Sequence, residues 1–205
     1  MFFVQSCSVC NAETESGVFC PACRNSELLI EAMPGLLNLD GAVMGYKYSG
    51  ALKDMLHKLK FEGESKFLQP LAEEAAFLAQ VYGESGFDMV VSVPTDAARR
   101  KQRGFDIPES IFAQALAVKG KWQPQILARI KATVPQYGLA PDKRRSNVRG
   151  CFAVQGDVRG AKILLVDDIL TTGATLDEAA KTLKQAGAKS TYALTLCGSL
   201  ENFKD

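Results

Sequence analysis

A single histidine and a single tryptophan occur in 205 residues. The histidine, His57, lies far in sequence from every acidic or glycine-rich motif. No imidazole therefore stands out as a general base, and a packing or surface role suits it better. Charge of one sign is also missing. Lys and Arg total 24 against 23 Asp and Glu, a net charge of +1, so the chain as a whole makes no electrostatic case for a polyanion partner. No apolar run approaches the roughly 18 residues that a membrane span needs. The N-terminus, MFFVQSCSVC, is apolar for four residues only and lacks a basic start, which excludes a signal peptide and makes the cytoplasm the expected compartment. There is no G-x-x-x-x-G-K-[ST] and no G-x-G-x-x-G, so neither an ordinary P-loop nor a dinucleotide fold is expected. Internal repeats and low-complexity segments are absent as well.

Cysteine is present in a pattern. Cys7, Cys10, Cys20 and Cys23 read C-x2-C-x9-C-x2-C. Each pair offers two thiolates from one tight turn, and together they supply the four sulfurs of a tetrahedral Zn²⁺ site. Disulfides are disfavoured in a reducing compartment. Four protein ligands leave no open position, so the expected metal is structural, holding a segment too small to have a core. Cys151 and Cys197 lie in apolar stretches and read as core thiols.

Pro34 and Gly35 mark a boundary, dividing the chain into a four-cysteine module at 1–35 and an α/β domain at 36–205. Strand-like runs fall at 41–48, 87–94, 125–130, 151–154, 162–166 and 191–196, and helical patterns at 51–60 and 67–82, the latter ended by Gly83. A basic loop follows Pro94, then Asp106 and Glu109 fit a capping box. Thr175 and Glu178 fit another, with Gly187 as the C-terminal glycine of that helix. Residues 131–150 form a long polar, basic stretch, and loops of that length are often functional. Strands alternating with helices predict a parallel sheet flanked by helices.

The stretch at 163–176, ILLVDDILTTGATL, carries the chemistry. In open parallel sheets ligands sit outside the carboxyl ends of the strands. Asp167 and Asp168 leave such an end, and Thr171, Thr172, Gly173, Ala174 and Thr175 turn into a helix. The unpaired N–H groups of that turn, with the helix dipole behind them, suit an anion. Gly173 permits close approach, and the threonine hydroxyls add donors. Carboxylates beside a phosphate site are placed to accept from a vicinal diol, which together describe a ribose 5-phosphate.

This segment resembles the phosphoribosyl pyrophosphate (PRPP) signature of type I phosphoribosyltransferases. The whole chain is similar to the ComF family, the competence-associated branch of that fold. The likeness includes the four cysteines, Y-K-Y-S-G from residue 46, L-K-F-E-G at 59–63, S-V-P-T at 92–95, R-G-F at 103–105, Gln136, and R-R-S-N-V-R-G-C-F at 144–152. It implies that Asp167 and Asp168 bind the ribose 2- and 3-hydroxyls of PRPP and that Thr171 to Thr175 hold its 5-phosphate. It also implies that Pro94 and Thr95 open a pyrophosphate loop, which Arg99 and Arg103 follow, and that the 131–150 stretch is a mobile loop whose Lys143, Arg144 and Arg145 neutralise pyrophosphate. Mg²⁺ is expected to accompany PRPP with few protein ligands. Where relatives read R-G-F-N-Q this chain has Asp106 and Ile107, which removes a polar group but keeps a helix cap.

Two functions follow from the resemblance. One is a PRPP-binding protein of natural transformation, with single-stranded DNA and DNA-uptake proteins as partners; the basic loops, with Phe105, Phe152, Tyr137 and Trp122 as stacking platforms, are compatible with DNA. The alternative is a competent phosphoribosyltransferase acting on an unidentified small-molecule acceptor. No catalytic residue is assigned in either case.

Overall fold

The computed structural model describes residues 5–14, 17–34, 38–82, 86–116, 121–134 and 140–199. A short hairpin, β1 (Gln5–Ser6) and β2 (Glu13–Thr14), is followed by helix α1 (Pro21–Glu27). The main sheet has five strands: β3 (Leu28–Pro34), β4 (Gly41–Lys47), β5 (Met89–Ser92), β8 (Lys162–Leu170) and β9 (Ser190–Gly198), in the order β3-β4-β9-β8-β5. The contacts β4–β9, β9–β8 and β8–β5 are parallel, as the sequence predicts. The edge strand β3 is antiparallel to β4, so the sheet is mixed. β3 follows α1 directly and carries the chain from the cysteine segment into the main sheet. Gly35 and Gly83 lie outside the described residues.

The apolar pattern of the strands explains the layering. Along β8, Ile163 and Leu165 pack on one face, and Leu164 and Val166 on the other. This is the period of two expected of a strand covered on both sides. The first face is covered by helix α7 (Ala174–Gln185), through Leu176, Ala179, Ala180 and Leu183, and by a small ribbon, β6 (Leu127–Arg129) and β7 (Phe152–Val154). The second face is covered by α2 (Gly50–His57), α3 (Leu68–Tyr82) and α5 (Ile107–Leu116). No helix among the described residues is long and apolar enough to cross a membrane.

Several elements differ from the sequence pattern. β8 runs four residues beyond the predicted end at Val166, pairing with β9 as far as Leu170 opposite Gly198. The two aspartates therefore lie within the strand rather than after it. The basic loop after Pro94 is a helix, α4 (Ala97–Arg103), because the Asp96 carboxylate accepts the Ala98 N–H at 3.1 Å. The 131–150 stretch contains a helix, α6 (Pro141–Val148), with a proline in its first turn where the missing N–H costs nothing. Asp106 does cap α5, accepting the Glu109 N–H at 3.5 Å. The second capping box does not form. Gly173, at φ 72°, takes the N-cap position, the helix begins at Ala174, and Glu178 instead accepts the Gly150 N–H at 2.8 Å. At the other end Gly187, at φ 101°, closes α7 with N–H bonds from Gly187 to Lys184 and from Ala188 to Leu183.

A buried carboxylate fastens the cysteine segment to α3. Glu74 is fully enclosed. It accepts the Val18 N–H at 3.0 Å, the Arg24 Nε at 2.7 Å and Nη2 at 2.9 Å, and the Tyr46 hydroxyl at 2.6 Å. Both Arg24 and Tyr46 hold their protons more tightly than usual. For Arg24 the hydrogen bonds it donates to Glu74 dominate; for Tyr46 burial leads and the Glu74 charge adds to it. Replacing Glu74 with Ala strands a buried guanidinium, a phenol and a backbone donor. The expected loss is about 3–5 kcal/mol. In a chain of this size that lowers Tm by about 6–20 °C, read by thermal denaturation.

Candidate functional site

β8 delivers Asp167 and Asp168 to the carboxyl edge of the sheet, only 9% and 6% exposed. They are held from several sides. The Asp168 N–H donates to Asp167 Oδ1 at 2.8 Å, and Lys60 Nζ approaches Asp168 Oδ2 at 2.8 Å. The Cys197 thiol of β9 lies beneath, 3.6 Å from the Asp168 carbonyl. Burial pushes the Asp167 carboxyl well above the ordinary carboxylate range, the neighbouring Asp168 charge adds to this, and Lys60 opposes it. Burial raises the Cys197 thiol likewise.

After β8 the chain turns through Thr171, Thr172 and Gly173 into α7. The first intrahelical bond runs from the Asp177 N–H to the Gly173 carbonyl at 2.8 Å, so the N–H groups of Ala174, Thr175 and Leu176 precede the hydrogen-bonded ladder. A depression of about 20 Å³ lies here, lined by Asp167 and residues 169–176, room for one small polar group.

Beside it opens a cleft of about 450 Å³. Its walls bring together Pro94, Thr95, Arg99, Arg103, Arg144, Asp167, Asp168, Thr171 and Thr175 from the expected set. Thr172, Gly173 and Ala174 line the adjoining depression. Lys143 and Arg145 do not reach the cleft; both stand exposed on α6, while Arg144 Nη1 turns inward to Thr171 Oγ1 at 3.1 Å. Gln136 and Tyr137 lie outside the described residues. The turn after β5 is braced by carboxylates. Asp106 Oδ2 accepts the Thr95 N–H at 2.7 Å, and Asp96 Oδ2 accepts the Thr133 N–H at 3.1 Å. Burial raises Asp106, whereas the N–H donors of Thr133 and Ala98 outweigh burial at Asp96 and lower it.

Sequence patterns missed part of the lining. Arg129, at the end of β6, faces the cleft with its guanidinium 5.1 Å over the Phe152 ring. Lys60, Tyr48 and Phe61 also line it. With these, five cationic side chains face two acidic ones, although the whole chain carries only +1. Desolvation lowers the Arg99 and Arg103 guanidinium groups, and at Arg99 the neighbouring Arg129 adds to the effect. An anion entering the cleft relieves this crowding. The only available signal for Arg129 was a charge closing an apolar strand.

Of the aromatics expected as stacking platforms, Phe152 is 5% exposed beneath Arg129, while Phe105 and Trp122 are partly buried against the core. Phe61 is instead half exposed at the cleft.

The four N-terminal cysteines converge, with all four Sγ atoms within 4.8 Å of one another. The Cys10–Cys20 separation is 3.7 Å. A tetrahedron of Zn–S bonds has edges of about 3.8 Å, so the cluster fits such an ion. Asn11, at φ 58°, closes the first turn by donating to the Cys7 carbonyl at 2.9 Å. Burial acts to raise the Cys7 thiol, but N–H groups of Cys20, Cys10 and Val9 outweigh it and bring it down to about 6. The Cys10 side chain pushes Cys23 up to about 12. Four crowded sulfurs cannot all ionise without a cation among them, and the cluster is positioned to hold a metal ion.

An acid pair near the carboxyl end of a parallel strand, a glycine turn into the next helix and helices on both faces of the sheet are the arrangement of a phosphoribosyltransferase-type fold. The phosphoribosyl transferase domain family matches residues 121–202. The chain is 31% identical over 159 residues to DNA utilization protein YhgH of Salmonella typhimurium, covering 75% of this chain and 70% of that protein. It is 29% identical over 209 residues to the Escherichia coli protein of the same name, covering 95% and 90%. It is 28% identical over 201 residues to competence protein ComFC of Streptococcus pneumoniae, covering 93% and 86%. The chain belongs to the ComF family.

Elemental analysis of protein purified without chelator is expected to find about one divalent metal ion per chain, and Cys20→Ser should abolish it. Because Arg24 links the cluster to Glu74, metal loss should also lower the Tm of the main domain. A metal-free wild type rules out the assignment.

Proposed function

We propose that the protein binds PRPP in this cleft and serves DNA uptake in natural transformation. The observation that carries PRPP binding is the adjacency of the Asp167–Asp168 pair, the Thr171–Thr175 anion site and the arginine-lined cleft on one strand edge. The 5-phosphate is assigned to the N–H groups and hydroxyls of 171–175. The 2- and 3-hydroxyls are assigned to the two carboxylates. Pyrophosphate then extends past Pro94 and Thr95 toward Arg99 and Arg103, whose planar forks match phosphate oxygens. Arg144 already contacts Thr171 and is placed to follow the phosphates as they enter. Mg²⁺ is assigned to substrate oxygens and water, in keeping with its preference for few protein ligands. The four-cysteine cluster is assigned to structural Zn²⁺, which suits a reducing, cytoplasmic setting.

The DNA role is supported by the printed names of the relatives, which concern DNA utilization and competence. Exposed cations outside the cleft, Arg100 and Lys101 on α4 and Lys143 and Arg145 on α6, offer a phosphate-contacting surface.

Calorimetric titration of Mg²⁺–PRPP into the wild type is expected to show one site per chain, lost in Asp167→Asn/Asp168→Asn. Absence of binding to the metal-replete wild type refutes the PRPP site. Retention on a single-stranded DNA column up to physiological salt is expected, and elution below it refutes direct DNA binding.

A further inference from the structure

Lys60 belongs neither to the phosphate loop nor to the arginine wall. It lies in a π-helical turn, Lys58–Glu62, that continues α2 and ends at Gly63 with φ 70°. Turns of this type widen a helix by one residue and often serve functional sites. Here Leu59 is fully buried while the neighbouring Lys60 and Phe61 face the cleft.

The contacts of the acid pair are divided in a telling way. Asp167 Oδ1 is taken by the Asp168 N–H, and Asp168 Oδ2 by Lys60 Nζ. Each carboxylate has a second oxygen, Asp167 Oδ2 and Asp168 Oδ1, and a vicinal diol presents two hydroxyl donors. Ionised carboxylates are the stronger acceptors, since a protonated carboxyl gives one of its oxygens over to donating. Two adjacent carboxylates this deeply buried repel one another, and the charge that meets them at contact distance is Lys60. Other groups facing the pair are Arg103 from α4 and the Cys197 thiol from β9, while Tyr48 faces Lys60.

We infer that Lys60 is the positioning residue of the diol site: by holding Asp168 Oδ2 it fixes one carboxylate and keeps the pair in its accepting form, so selection for a 2,3-diol depends on it. This role rests on the assignment of the cleft to PRPP.

The test compares the wild type with Lys60→Met and Lys60→Arg, using ribose 5-phosphate, 2-deoxyribose 5-phosphate and inorganic pyrophosphate as probes. The wild type should prefer ribose 5-phosphate over the deoxy sugar by about tenfold or more, as expected for a hydroxyl bonded to a charged acceptor. Lys60→Met should lose about 10–100-fold in ribose 5-phosphate affinity, the usual effect of removing a group that orients a ligand-binding side chain. It should also bind the two sugars almost equally and keep wild-type pyrophosphate affinity, which shows that it is folded. Lys60→Arg should restore most of the preference.

The pH profile adds a second readout. Without Lys60 the pair retains a proton to higher pH. Ribose 5-phosphate affinity of Lys60→Met, taken relative to pyrophosphate, should therefore rise with pH more steeply than that of the wild type. A Lys60→Met protein that keeps both the sugar preference and the wild-type profile overturns the inference alone. A wild type that binds neither ribose 5-phosphate nor PRPP overturns the cleft assignment, and the inference with it.

Discussion

Two adjacent carboxylates, each less than a tenth exposed, stand near the carboxyl end of β8, and the surrounding structure compensates for them. Burying a charge without a partner is too costly to leave uncompensated. Lys60 meets the pair directly, and Arg103 acts on Asp168 from α4. The arginines further out exceed what two acids require. Arg99 and Arg103 are themselves desolvated, and Arg99 is crowded by Arg129 and Arg103. The cleft therefore carries a local surplus of positive charge that a near-neutral chain conceals. Such a surplus suits a ligand with several phosphate charges, and the acid pair at one end restricts which part of that ligand can lie there.

What was legible in the sequence is what depends on neighbours in the chain. The apolar run into Asp167 and Asp168, the T-T-G-A-T turn and the paired cysteines are local patterns, and each gives the element expected of it, although the strand runs on past the aspartates and the helix starts at Ala174. The alternation of strands and helices likewise gives the parallel part of the sheet. The antiparallel edge strand β3 is less visible because its pairing with β4 is a tertiary choice. Glu74 illustrates the limit. Beside Glu73 it reads as an ordinary polar helix position, yet it is fully enclosed because Arg24, Tyr46 and the Val18 N–H converge on it from elsewhere in the chain.

Local competition accounts for the misread helix ends. Both a Thr–Glu capping box and a left-handed glycine can start α7, and Gly173 wins because its positive φ costs no steric strain. The outcome places the N-cap at Gly173 rather than at Thr175, so α7 starts at Ala174. Conversely, the arginine-rich segment after Pro94 gains a helix through the Asp96 cap, and that helix gives Arg99 and Arg103 fixed directions into the cleft. Arg129 was hidden for a different reason: it closes a short apolar strand, and only the assembled sheet reveals that it meets Lys60, from the family-like L-K-F-E-G stretch, at one cleft.

The cysteine segment reaches this place through an unbroken series of contacts. Its backbone and Arg24 are fixed on Glu74, and Glu74 also holds Tyr46 in β4. β4 is clasped between β3, which follows α1 without a loop, and β9, which runs beside Asp167 and Ile169 of β8. Where β4 ends, the Tyr48 N–H donates to the Gly198 carbonyl at 2.8 Å, and α2 begins two residues later. Leu52, Leu56 and Leu59 then anchor α2 and its π turn in the core, which leaves Lys60 against Asp168. A packed core moves between discrete arrangements rather than yielding gradually. The position of the lysine thus depends on a sheet edge that the cysteine cluster helps to hold, although no cysteine of that cluster lines the cleft.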